Sequence, residues 1–110
     1  MATAYKVLAQ AAPSATTETT LYTTPAATST IVSTIAISNQ AGSSGTYRIA
    51  VRPAADASTT QKHYIVYGAT VAASDSIMLT LGITLAAGDL IRVYASSADM
   101  SFSAFGSELS

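Results

Sequence analysis

From Leu21 to Leu109 the chain runs in short stretches of alternating apolar and small polar residues. Pro, Gly, Asn, Asp or Ser interrupts them roughly every ten positions. Alternation of period two places successive side chains on opposite faces of a strand, so each stretch can bury one face and wet the other. Residues 46–52 show it best, with Tyr47, Ile49 and Val51 set against Thr46, Arg48, Ala50 and Arg52. Apolar residues nowhere recur at helical spacing. The pattern predicts an all-β fold, an antiparallel β-sandwich (jelly-roll or Ig-like) of about eight strands, in preference to a closed barrel.

The stretches can be placed one by one. Residues 4–9 read as a strand or an arm, and residues 10–19, without periodicity, as a linker, so 1–19 is expected as an N-terminal arm or linker and 20–110 as the sandwich domain. Strands follow at 21–24, 29–38, 46–52, 62–71, 76–83, 90–95 and 100–109. Asn39–Gly45 reads as a flexible hairpin loop joining the second and third of these, with Gly42 and Gly45 free to take positive φ. Gly68 marks a bend or bulge, and Asp75 and Asp89 stand where Asx turns open a strand. Shared parity gives an expected core of Ile31, Ile35, Ile37, Tyr47, Ile49, Val51, Ile77, Leu79, Leu81, Ile91, Val93 and Phe102.

What the chain lacks narrows its function. It has 110 residues, no Cys, no Trp and one His, with 10% charged residues against roughly 25% in ordinary soluble domains. Ala, Ser and Thr fill about half of it. A net charge of −1 with five basic residues argues against nucleic acid, which needs clustered Lys and Arg. The longest mostly apolar run, residues 77–91, is broken by Thr, Gly and Asp, so no membrane span is expected. Residues 1–6 have neither a basic nor a long apolar region, so no signal peptide is expected. A surface of Thr, Ser and Ala packs against a neighbour without stripping water from charges, and sheet edges carry few of the Lys that normally guard them. That composition points to a subunit of an assembly.

Reactive chemistry is sparse. His63 is the only imidazole, and no sequence motif brings it an orienting carboxylate and a nucleophile. The six carboxylates are isolated rather than spaced as a calcium loop, and the glycines fit no phosphate-binding motif. No catalytic residue, metal or cofactor is therefore nominated, and no enzymatic activity is expected. Six tyrosines could stack on sugars or bases. Core packing is the expected role of most, while the parity of Tyr67 and Tyr94 makes them the candidates for ligand stacking. Arg48 and Arg52, roughly 13 Å apart along one strand face, and Arg92 with the same outward parity, are candidate assembly contacts. So are Tyr5, Val7 and Leu8, on an arm able to add a strand to a neighbour's sheet edge.

Several strings carry a resemblance: residues 21–35 (LYTTPAATSTIVSTI), 47–53 (YRIAVRP), 63–65 (HYI), 79–85 (LTLGITL), 89–95 (DLIRVYA) and 105–109 (FGSEL). Together they resemble a family of small virion structural proteins of tailed bacteriophages, including phages of cyanobacteria and other aquatic bacteria. The likeness covers about residues 20–109 and consists of packing strings. It implies a non-enzymatic virion component, made in the host bacterial cytoplasm and assembled with itself and other virion proteins. Head decoration and tail, baseplate or fibre component are the roles implied. The alternative is a phage-borne module that binds a host glycan or receptor through exposed tyrosines.

Overall fold

A computed structural model describes residues 2–110; residue 1, the start of the expected arm, lies outside the described residues. Eight strands follow in order: β1 (Thr3–Ala11), β2 (Thr19–Thr23), β3 (Ser29–Asn39), β4 (Gly45–Arg52), β5 (Tyr64–Val71), β6 (Ser76–Leu85), β7 (Leu90–Ala95) and β8 (Met100–Leu109). The first half of the chain meets the second half in reverse. β1 pairs with β8, β2 with β7, β3 with β6 and β4 with β5, all antiparallel. Two further ladders, β3–β8 and β4–β7, complete two four-stranded sheets, β1-β8-β3-β6 and β2-β7-β4-β5. A long antiparallel ribbon rolled up in this way is a jelly roll, and of the two expected sandwich types it is the one formed.

The supposed hairpin loop after β3 is instead a crossing, because β3 and β4 lie in different sheets. Asn39 fixes the crossing. Its buried amide donates to the carbonyls of Ser43, Val71 and Ala72 at 3.0–3.2 Å and its Oδ1 accepts from the Ala41 amide. Gly42 and Gly45 do not take positive φ there; Gly68 and Gly88 do, at +77° and +84°. Gly68 is the extra residue of a bulge between the Arg48↔Tyr67 and Tyr47↔Ala69 pairs.

Of the two readings of residues 4–9 the strand is the one formed, and it reaches into the expected linker: Thr3–Ala11 is the edge strand of the first sheet. It pairs along β8 with one bulge at Leu8, and Ala2 and Ser110 exchange main-chain hydrogen bonds of 2.9 Å. The physical reason is the length of β8, whose ten residues would otherwise leave a row of unpaired main-chain groups along one side.

Between the sheets lie Ile35, Ile37, Tyr47, Ile49, Ile91, Val93 and Phe102, all buried as expected, with Tyr47 and Phe102 in edge-to-face contact. Val51, Ile77, Leu79 and Leu81 are only half-buried, since the last three ride on the edge strand β6. Leu21, Tyr22, Val32, Val71, Leu85 and Met100 complete the core. Ile31 departs from the expectation, at 43% exposed while Val32 is fully buried. The cause is a register shift between Val32 and Thr34 against both neighbouring strands. Ser33 is the extra residue, which inverts the parity on either side of it. Gly106 makes the close approach possible: a Cβ there would lie 2.0 Å from the Ile31 carbonyl oxygen.

Candidate functional site

The two outer faces of the sandwich differ in chemistry. On the second sheet, β4 turns Arg48, Ala50 and Arg52 outward, and the antiparallel ladders set their neighbours. One row across the sheet is Tyr67, Arg48 and Tyr94; the next is Tyr64, Ala50, Arg92 and Thr20. The Arg48 guanidinium carbon sits 4.2 Å from the Tyr67 ring centroid and 4.1 Å from that of Tyr94. The cation is thus clamped between two electron-rich ring faces. Tyr64 meets Tyr67 edge-on, with centroids 4.9 Å apart. Ala50, although outward-facing, is fully buried beneath this layer.

Glu18, on the segment leading into β2, closes the layer. Its carboxylate accepts from Arg92 Nε and Nη2, both at 2.9 Å, and from the Tyr64 hydroxyl at 3.1 Å. Burial pushes the Glu18 carboxyl up, but hydrogen bonds from Arg92, Thr59 and Tyr64 with the guanidinium charge outweigh it, and the net shift is downward. Burial and the same carboxylate push the Tyr64 hydroxyl up. Arg52 donates from Nη1 to Thr59 Oγ1 at 3.3 Å. Beside this network lies a concavity of about 580 Å³ lined by Thr59, Thr60, Gln61, Tyr64 and Tyr67.

His63, expected within a strand, ends a 3₁₀ turn over Gln61–His63. It does acquire the partners of a nucleophile–His–Asp arrangement: Nε2 lies 2.7 Å from Asp56 Oδ2, and Nδ1 3.4 Å from Thr60 Oγ1. The Thr60 amide, however, donates to Nδ1 at 2.8 Å. That bond occupies the lone pair a general base would need and puts the ring proton on Nε2, facing Asp56. The His63 hydrogen bond, with the charges of Lys62 and Arg52 nearby, holds the Asp56 carboxyl below its ordinary range, against a smaller opposing push from burial. The triad geometry therefore staples the 53–63 loop in place. Among the described residues no three His, Asp or Glu side chains gather as a metal-ligand group.

The outer face of the first sheet is of another kind. Its rows are Tyr5–Ser107–Ile31–Thr84, Val7–Phe105–Thr34–Thr80 and Gln10–Ser103–Ala36–Met78. None of these twelve side chains is charged. Tyr5 is 85% and Met78 70% exposed. Charge returns only at the inward-facing end of the sheet, where Glu108 pairs with Lys6 at 2.7 Å and accepts from the Tyr22 hydroxyl.

No protein-family model matches the chain, and no curated protein matches it.

The residues singled out in the sequence divide between the faces. Arg48, Arg92, Tyr67 and Tyr94 come together on the second sheet, but all three guanidinium groups, that of Arg52 included, are engaged within the chain. Tyr94 is half-buried beside Arg48, so its stacking surface is taken, whereas Tyr67 stays 65% exposed. Tyr5 and Val7 face outward on the first sheet, and Leu8 turns at its bulge to pack half-buried against the core. Only Tyr22 and Tyr47 among the tyrosines are buried, fewer than expected. Glu18, Thr59, Gln61 and Tyr64 carry the site without having been singled out. The one available signal was Glu18, the sole charge in residues 10–20.

Proposed function

We propose that this chain is a non-enzymatic structural subunit that assembles by packing the outer face of its first sheet against a second copy of itself. One observation carries the reading: a broad, four-stranded face whose central rows hold no charge. Burying such a face strips no water from ions, and the hydroxyl and amide groups of its Ser, Thr and Gln keep their cost low by hydrogen-bonding across the contact. The sandwich extends up to 45 × 28 Å across its broad faces, room for more than the roughly 800 Å² per partner of a stable interface. A two-fold interface uses the same patch on both copies, so Tyr5, Ile31 and Met78 enter it from each side. The jelly roll serves viral capsid proteins and lectins alike, so on fold the support is by analogy.

On the sequence resemblance, the assembly proposed is the virion of a tailed bacteriophage. Light scattering across concentration tests the self-association. The native chain is expected to give a multimer and the Ile31→Lys/Met78→Lys variant a folded monomer. A native chain that stays monomeric at high concentration overturns the assembly reading. Immunogold electron microscopy of purified particles tests the virion, and unlabelled particles count against it.

A further inference from the structure

We propose that the concavity beside Tyr67 is a binding site for neutral saccharide chains, on the face opposite the proposed assembly surface. Its volume of about 580 Å³ falls within the roughly 300–1,000 Å³ of small-ligand sites. Thr59, Thr60, Gln61, Tyr64 and Tyr67, which line it, are all uncharged and all carry a hydrogen-bonding group. A pyranose ring has the matching character: an apolar C–H face that packs on an aromatic ring, and a rim of hydroxyls that both donate and accept. Tyr67 supplies the platform, since it stays 65% exposed although Arg48 covers part of it. Gln61, exposed and on the rigid 3₁₀ turn, supplies an amide that donates and accepts at once.

The site is held ready before any ligand arrives, which lowers the entropy lost on binding. Arg48 and Tyr64 fix the Tyr67 ring. Glu18 fixes Tyr64, Arg52 holds Thr59, and the His63–Asp56 and His63–Thr60 bonds lock the turn that carries Gln61. Nucleic acid fits poorly, because no lining residue is cationic and phosphate contacts dominate such binding.

The test is an amide NMR titration of the isotope-labelled chain with methyl β-glucopyranoside, methyl β-galactopyranoside and chitotriose. Each is taken to about 20 mM, well above the roughly 1 mM dissociation constant of a weak site. At least one is expected to shift resonances clustered at residues 59–67. Tyr67→Ala should abolish those shifts, Tyr67→Phe should keep them, and Gln61→Ala should weaken binding about three- to tenfold. Tyr67 is exposed, so the alanine variant should retain the native spectrum elsewhere. Shifts that persist in Tyr67→Ala, or no clustered shifts with any of the three sugars, overturn the proposal.

Discussion

At the scale of single residues, burial and backbone clearance set the expected costs of mutation. Ile49 is fully buried between the sheets, so Ile49→Ala should lose about 2–5 kcal/mol of unfolding free energy. Leu79 shares its inward parity but rides half-buried on the edge strand, and Leu79→Ala should cost less, about 1–2 kcal/mol. Equal losses in denaturant titrations would contradict that placement. Gly106→Ala adds one methyl group, but its Cβ would fall 2.0 Å from a main-chain oxygen that cannot rotate aside. It should cost about 3 kcal/mol or more, and a variant as stable as the native chain would show the Ser33 bulge to be wrong. The bulge is also why Ile31 departs from the face its alternation implies. Period-two reasoning carries parity through a strand unchanged, and nothing in Val32-Ser33-Thr34 announces an extra residue. Tyr67, by contrast, was legible from its alternation with inward-facing Val66, although β5 shifts register on either side of that pair.

At the scale of elements, the strands were readable and their partners were not. Alternation reports which residues share a face, but pairing between β1 and β8, at opposite ends of the chain, leaves no local mark. The Glu18 network was hidden for the same reason, joining a linker to β5, β7 and the 53–63 loop. These polar staples imply a pH dependence. Lys6 first, then Tyr22, lowers the Glu108 carboxyl, His63 lowers Asp56, and the Arg92 network lowers Glu18. Each folded pKa lies below its unfolded value, so the ionised form is what the fold favours. The stability this adds is intact above the ordinary glutamate pKa of 4.5 and is lost as pH falls through the lowered folded values. The unfolding midpoint should therefore hold steady from neutral pH to about pH 5 and then fall. Glu18→Gln/Glu108→Gln should be less stable at neutral pH and show a shallower acid slope. An unchanged slope would mean that these carboxylates do not carry the effect. Tyr22 acts at the other extreme. Burial and Glu108, against Thr30, raise its hydroxyl to about 12, so the contribution of the neutral phenol is present below pH 10 and fades as pH rises through the folded value.

At the scale of the whole molecule, the rolled ribbon gives each sheet one inner face and one outer face, and the inner faces share a single core. Packed sheets lie about 10 Å apart, so side chains on opposite outer faces have no common partner. Ile31 and Tyr67 occupy those opposite faces, and changes at separated sites without shared contacts usually add to within about 0.5 kcal/mol. Replacing both should therefore give independent losses. Ile31→Lys is expected to weaken self-association without altering saccharide-induced shifts at residues 59–67, and Tyr67→Ala to abolish those shifts without altering mass in solution. The double variant should show both losses with no interaction between them. Self-association constants from sedimentation on all four proteins complete the cycle, and saccharide constants from NMR titration compare the native chain with Ile31→Lys. A coupling well above 0.5 kcal/mol would mean that the core transmits strain between the sheets, and would overturn the assignment of separate tasks to the two faces.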